Sequence, residues 1–321
     1  MRKLSIPLLG LLLFFSCKKN SSVQDVQASA QEIAERSCAS QQVLASQLAS
    51  DPALRNKLNQ IEEFTKMKIA SGEALRVTAG KTIEIPVVVH VLWNSPEQNI
   101  SDAQIQSQID VLNEDFNLRN RDKSLVPDLF ANLTADVGVK FTLAQTIRKY
   151  TSFKTWPITD NMKFEARGGS NSVDPAHNLN IWVCNIGQGV LGFAYYPGIR
   201  AELDGVVVLY SAFGRTGTLE PRFNKGRTAT HEVGHWLNLR HVWGDATCGT
   251  DLVDDTPQHT TANTHCPEFP HNNSCSDGAV EMTMNYMDYT DDICMFMFSN
   301  GQKARMLSVF ASGGPRASFV Q

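Results

Sequence analysis

The order of apolar and polar positions divides the chain into helical, extended and irregular stretches. From Gln31 to about Ala70, Val43, Leu44, Leu48, Leu54, Leu58, Ile61 and Phe64 recur at three- and four-residue steps. That is the period of helices with one apolar face. Asp51 followed by Pro52 marks a boundary, a capping residue and then a proline at the first helical position. Two short helices do not close a core alone, so they are expected to pack on the C-terminal remainder of the chain. Ile83–Trp93 (IEIPVVVHVLW) is a β-branched apolar run and reads as a buried strand, with His90 a core residue within it. Residues 139–144, Leu179–Cys184 and 204–209 read as further strands. Ser101-Asp-Ala-Gln opens a helix as a capping box, and Ile105, Ile109, Leu112 and Phe116 share one face of it. Strand, helix and strand in this order with a mixed sheet predict an α/β fold. From Trp243 to Asp292 the regular patterns fade, and residues 299–310 read as a last capped helix.

The chemistry concentrates at 228–241, TATHEVGHWLNLRH. On a helix His231 and His235 sit at i and i+4, on one face. Two imidazoles so placed can bind one zinc ion, and Glu232 beside them can act as a general base. His241 lies too far along to share that face, so the chain must turn back to bring it in. Asn238 falls where the turn is needed, and asparagine tolerates the left-handed conformation of a sharp helix exit. Three imidazoles and one water make a tetrahedral zinc site with its fourth position open.

HEVGHWLNLRH resembles the long signature HExxHxxGxxH of the metzincin metalloproteases, with Asn238 at the glycine position. MNYMDYTDD, 284–292, resembles the Met-turn of that clan, with Met287 as its methionine. With the Cys- and Asp-rich stretch between them, the motifs resemble the pappalysin family, over about 83–310. The resemblance implies a metzincin-like fold: a twisted mixed sheet with a backing helix and an active-site helix, and an irregular, disulfide-linked C-terminal subdomain. It implies zinc on His231, His235 and His241, with Glu232 as catalytic base. Tyr289 would assist at the oxyanion, and Asp292 would sit at the base of the S1′ pocket and select Arg or Lys. Disulfides are implied between Cys248 and Cys275 and between Cys266 and Cys294. Spacing alone leaves all three pairings of four cysteines open. The 187–198 stretch, GQGVLGFAYYPG, is where the substrate-pairing edge strand of this clan is expected. The loop DLVDDTP, 251–257, resembles a calcium loop, with Asp251, Asp254, Asp255 and Thr256 as ligands. His259, His265 and His271 fit no motif and are read as surface histidines.

Composition adds limits. The chain has 321 residues, 42% hydrophobic and 19% charged, with a net charge of −4. The sequence pI is 6.1. This is a globular composition, and it argues against a general nucleic-acid binder. Arg2 and Lys3 with the apolar run 6–15 after them make a secretion signal, and Ser16-Cys17 resembles a lipoprotein ending with Cys17 lipidated. Residues 1–17 are therefore read as signal, 18–80 as tether and helical pro-segment, and 81–321 as catalytic domain, divided at 241/242. Cys38, in Arg-Ser-Cys, matches the resemblance as a latency switch: its thiolate would fill the fourth zinc position. A free thiol or a disulfide with Cys184 is the competing reading, and Cys184 alone reads as a buried small hydrophobe. Residues 71–81 are expected to be an exposed linker cut on activation. The expected protein is an extracytoplasmic monomer acting on peptides or proteins and touching membrane only through a lipid anchor. A silent surface module that keeps the zinc fold is the alternative, but such a module need not retain Glu232.

Overall fold

The computed structural model describes Met1 and residues 35–320. The predicted signal, Cys17 and most of the tether lie outside the described residues. Three helices come first: α1 (Ser40–Ser50), α2 (Ala53–Ala70) and the short α3 (Glu73–Arg76). Among the described residues the helical pattern begins at Ser40. Residues 36–38 precede it without helical structure because a sheet edge takes up backbone groups there, Cys38 bridging to Gly192. The expected linker also carries structure, since α3 buries Ala74.

β1 (Ile83–Trp93) is an interior strand, and most of its side chains are buried, as its β-branched run requires. α4 (Asp102–Phe116) is next, with the Ser101 hydroxyl accepting from the Gln104 N–H at its start. Ile105, Ile109, Leu112 and Phe116 pack in the same core as Ile85, Val87 and Val89. After α5 (Asp128–Ala131) come β2 (Val139–Tyr150), β3 (Leu179–Cys184), β4 (Gly192–Ala194) and β5 (Val206–Leu209). The sheet order is β2-β1-β3-β5-β4. All pairs are parallel except β4 with β5, so the sheet is mixed and β4 forms an antiparallel edge. The 187–198 stretch therefore contains an edge strand. β2 runs six residues beyond its predicted end.

α6 (Arg227–Trp236) is buried along its whole length. After it the described chain is largely irregular, carrying β6 (Thr264–His265), its parallel partner β7 (Tyr289–Thr290), α7 (Asn300–Ser308) and two short 3-10 turns at Asp292–Cys294 and Ala317–Val320. α7 opens with a full capping box formed by Ser299 and Gln302. Disulfides Cys248–Cys275 and Cys266–Cys294 cross-link the irregular part. His259 is fully buried, which corrects its reading as a surface residue. Its Nε2 accepts from the Met282 N–H, and its Nδ1 lies 3.4 Å from Asp288. An irregular segment has many backbone groups to satisfy, and a buried imidazole does that here. No helix among the described residues is long and apolar enough to cross a membrane.

One buried ion pair joins three parts of the fold. Arg227 on α6 contacts Asp115 on α4 at 2.9 Å, pairs with Asp122, and donates to the Met295 carbonyl. Asp115 also accepts from Thr230 on α6 and from the Tyr286 hydroxyl. Burial alone would lower the Arg227 pKa, but the neighbouring carboxylates outweigh it and keep the guanidinium charged. Arg227→Ala would leave Asp115 buried without its cation. We expect a loss of about 3–5 kcal/mol in urea unfolding; a change under about 1 kcal/mol would show that the bracket does not hold the fold.

Candidate metal centre and active-site cleft

α6 places the first two histidines. Their rings lie 4.8 Å apart, one turn from each other. The helix ends by hydrogen bonds from the Asn238 N–H to His235 O and from the Leu239 N–H to Gly234 O. Asn238 has φ of 74°, the left-handed exit that its position suggested. The reversed chain returns His241 to the other two, its ring centroid 4.5 Å from that of His235.

The orientation of the three rings comes from their far nitrogens. Nδ1 of His231 lies 2.7 Å from Tyr286 O, Nδ1 of His235 lies 2.9 Å from Leu239 O, and Nδ1 of His241 lies 2.5 Å from an Asp245 carboxylate oxygen. These acceptors put each ring proton on Nδ1 and leave the Nε2 lone pairs facing inward. His235 Nε2 and His241 Nε2 are 3.1 Å apart. His231 Nε2 is buried and has no hydrogen-bond partner. Burial, then the neighbouring histidines, holds the pKa of His231 and His235 well below the ordinary value, so both stay neutral. With the Cys38 thiol, these atoms all lie within 4.8 Å of one another, the one such metal-capable group among the described residues. An orphaned inward lone pair beside two others, in an all-nitrogen and sulfur donor set, fits a zinc ion.

Aromatic and sulfur groups pack the site from below and beside. Met287 is fully buried, and a Cβ on Gly234 would stand 2.5 Å from its sulfur. The glycine between the two helical histidines is thus what lets the Met-turn approach. Trp243 stacks on His241 at 4.2 Å, and Tyr289 lies edge-on to both rings.

Residues 36–40 fill the cleft. The Ala39 N–H donates to Gly192 O and the Leu191 N–H to Ser37 O, so the segment lies along β4, parallel to it. The Cys38 thiol donates to Glu232 at 3.4 Å, and the Ser40 hydroxyl does so at 3.2 Å. Ser40 Oγ in turn accepts from the Ala194 N–H. Burial pushes the Glu232 carboxyl up to about 8, against those two hydrogen bonds. The Tyr289 hydroxyl donates to Cys38 O, and burial, then Cys38 and Glu232, pushes its pKa well up. Two residues earlier, Arg36 reaches Asp292 at 2.5 Å, both side chains buried. Its other nitrogens donate to Thr290 O and Thr228 Oγ1, and its head lies 5.2 Å from the Phe223 ring centroid. The second Asp292 oxygen accepts from the Lys225 and Arg227 N–H groups. Cys184 is buried and unpaired, and Cys38 is likewise free, so these two do not form a disulfide.

The acids of the 251–257 loop do not converge. Asp251 is buried and accepts from Thr256, while Asp255 accepts from the Ser299 hydroxyl and the Gly301 N–H at the start of α7. Asp254 is exposed. Three further residues around the site have no motif to mark them. Asp245 stands four after His241, a spacing that could have flagged it. Ser40 and Tyr196, whose hydroxyl lies 3.3 Å from His235 Nδ1, carry no such signal.

Comparison with known proteins agrees with this geometry. The family model described as Pregnancy-associated plasma protein-A matches residues 169–311. An extracellular metalloprotease of Arthroderma benhamiae is 31% identical, over 76% of this chain and 84% of its own. One of Pyricularia oryzae is 33% identical, over 78% and 84%. Among solved structures, a Tannerella forsythia promirolysin mutant superposes with a TM-score of 0.78 at 42% identity, covering 85% of this chain and 94% of its own. Mature mirolysin with a cleaved peptide gives 0.72 at 46%, covering 74% and 96%. The pro-form matches more of this chain than the mature form does.

The Asp245 contact carries a separate prediction. Asp245→Asn should weaken metal retention by about 10–100-fold, because His241 loses the partner that fixes its tautomer. Competition with a chromogenic chelator reads this directly; unchanged retention would show that Trp243 stacking alone orients the ring.

Proposed function

This chain belongs to the pregnancy-associated plasma protein-A family, the pappalysins, and is a metzincin zinc metalloendopeptidase; we propose that residues 36–40 hold it latent and that it cleaves before Arg or Lys, with Arg preferred. Its working place is extracytoplasmic, as the names of its extracellular relatives indicate. The observation that carries the finer reading is Arg36 in the Asp292 pocket, two residues from a thiol at the metal centre.

His231, His235 and His241 would hold the zinc, which when bound brings the pKa of its water to about 7 and polarises the scissile carbonyl. Glu232 takes the water proton on its carboxylate and returns it to the leaving amine. The Tyr289 hydroxyl, now engaged by Cys38, would turn to the carbonyl oxygen as that oxygen gains charge. Met287 supplies an apolar floor under the rings. The edge strand β4 offers the backbone groups now paired with residues 37–39 to an extended substrate.

The latent segment supports this reading through its direction. A substrate cleaved before Arg places the residue preceding that Arg at the metal. Here the residue at the metal is Cys38, which comes after Arg36. The segment therefore runs backwards along the cleft, fills the pocket and presents a thiol in place of a scissile carbonyl. Its hydrogen bonds to Glu232 also occupy the base. Release of about residues 35–80 would free both, consistent with the longer match to promirolysin than to the mature enzyme. The Arg36 guanidinium uses three nitrogens on three acceptors, and a lysine ammonium is a point charge that cannot span them.

Calcium at 251–257 remains part of the proposal through Asp251 and Thr256. Burial pushes the Asp251 carboxyl up to about 7, and a bound cation would ionise it. Asp255 is committed to α7. Lipidation at Cys17 rests on the apolar run that stops at that residue.

Casein hydrolysis by the activated enzyme should vanish on chelation, and Glu232→Ala should lower it by about 10²–10⁴-fold; no hydrolysis by the activated unsubstituted chain above the Glu232→Ala background would point to the silent-module alternative. Peptide profiling should show Arg above Lys at P1′, with Asp292→Asn lowering kcat/KM for Arg by at least about tenfold. An apolar P1′ preference unchanged by Asp292→Asn would remove the specificity reading. In the full-length chain, Cys38→Ala should raise basal hydrolysis, and no change would remove the thiol switch.

A further inference from the structure

The contacts of α2 lie away from Cys38 and from the Asp292 pocket. Glu62 accepts both terminal nitrogens of Arg305, at 2.9 and 2.6 Å, and lies 3.6 Å from Arg240. Arg305 is buried in α7, and its Nε donates to the Asn238 carbonyl at 2.7 Å. One turn along α2, Thr65 is buried and accepts from the Asn238 side-chain amide and from Ser308. Glu62 and Thr65 stand at i and i+3, on one helix face. That face therefore engages the side chain of the residue that turns the chain back toward His241 and, through Arg305, its backbone. The packing beside it is incomplete: a cavity of about 240 Å³ is lined by Leu44, Leu48, Leu58, Tyr196, Arg240 and Asp245. Beside the burial of Leu54, α2 is held by these polar contacts, in which a buried guanidinium would be left without its carboxylate if α2 departed.

We infer that the catalytic unit carries a second docking site, built from Arg305, Arg240, Asn238 and Ser308, which holds α2 by Glu62 and Thr65 independently of Cys38 and retains the N-terminal segment after its connection is cut. The occupant is this chain's own residues 53–70. The inference rests on the reading of 35–80 as a pro-segment. Its consequence is that cutting the connection is not sufficient for activation: the released segment acts as an inhibitor in trans until it is diluted or digested. The positive site suits it, since Glu62 supplies a carboxylate in bidentate geometry on a helix already formed.

The test uses the full chain with a specific protease site inserted between Gly80 and Lys81, all in a Glu232→Ala background so that no molecule digests another. The nicked parent, Cys38→Ala, Glu62→Gln/Thr65→Val and the combination are compared by gel filtration over a dilution series. The N-terminal fragment should co-elute with the catalytic unit in the parent and in Cys38→Ala. The combination should release it at a protein concentration higher by about tenfold or more, the effect of losing charge-assisted hydrogen bonds. Release from Cys38→Ala at the same concentration as from the combination would overturn the inference, because Glu62 and Thr65 would then add nothing to the attachment. Should the double substitution prevent recovery of folded chain, Glu62→Gln alone is read in the same assay with the same two outcomes. Basal hydrolysis by un-nicked Cys38→Ala with Glu232 restored tests the thiol switch separately, so failure of one reading is distinguishable from failure of the other.

Discussion

The structure depends on three imidazoles being turned so that their Nε2 lone pairs meet. A histidine ring has two usable nitrogens, and a site works only if one is committed elsewhere. Here the commitments come from three different parts of the chain. Tyr286 O belongs to the Met-turn, Leu239 O to the helix exit, and Asp245 to the irregular stretch beyond. The ring positions derive from α6 and the Asn238 turn, but the ring orientations require the lower part of the protein to be in place. This couples the two halves more closely than packing alone would. The Arg227–Asp115 pair works in the same direction, tying α6 to α4 and, through Tyr286, to the same Met-turn.

The N-terminal segment satisfies this site without resembling a cleavable peptide. Each functional group of the cleft has a partner in residues 36–40. Glu232 has Cys38 and Ser40, Tyr289 has the Cys38 backbone, Asp292 has Arg36, and β4 has a short run of backbone pairing. Burying a carboxylate such as Glu232 is costly unless it is hydrogen-bonded or protonated. With residues 36–40 in the cleft both devices operate, since two donors face it while burial raises its pKa. Removing the segment returns water to that carboxylate, which favours its ionised form, the form a general base needs.

Much of this is legible in the sequence, for physical reasons that differ from element to element. β1 and α4 announce themselves because burial imposes a period on side chains, and HEVGH does because two ligands on one helix must be four apart. Asn238 is readable because few residues accept a positive φ. Other features are hidden. Ser40, Tyr196 and Glu62 act through contacts between segments far apart in the chain, and no local spacing encodes such pairs. His259 looks like a surface residue because its neighbourhood lacks periodicity, yet it fills the hydrogen-bonding needs of a buried irregular segment. The clustered acids at 251–255 look alike in sequence, but the fold divides them among a buried turn, solvent and the cap of α7. Adjacent carboxylates in an irregular loop need not point the same way, so density of charge is a weaker guide to a shared ion than helical spacing is.

The irregular lower part raises a question of precision. A pocket of the proposed specificity needs its carboxylate held to within a fraction of an ångström, yet Asp292 lies in a segment with little regular structure. Three restraints converge on it. Its second oxygen accepts from two N–H groups at the entry to α6, so the helix that carries the histidines also positions the pocket acid. Its own N–H donates to Arg222 O. Two residues later, Cys294 is cross-linked to Cys266, beside the β6–β7 pairing. A cross-link there restricts the unfolded chain and anchors the exposed stretch around Cys266 to the buried one around Met295. The Asp292 carboxylate and the histidines therefore share a scaffold: the entry and first residue of α6 hold Asp292, and the next two turns carry His231 and His235. A change that tilted this helix would move the Asp292 carboxylate and the metal site together, so on the proposed specificity the contacts around Arg227 bear on substrate choice as well as on folding.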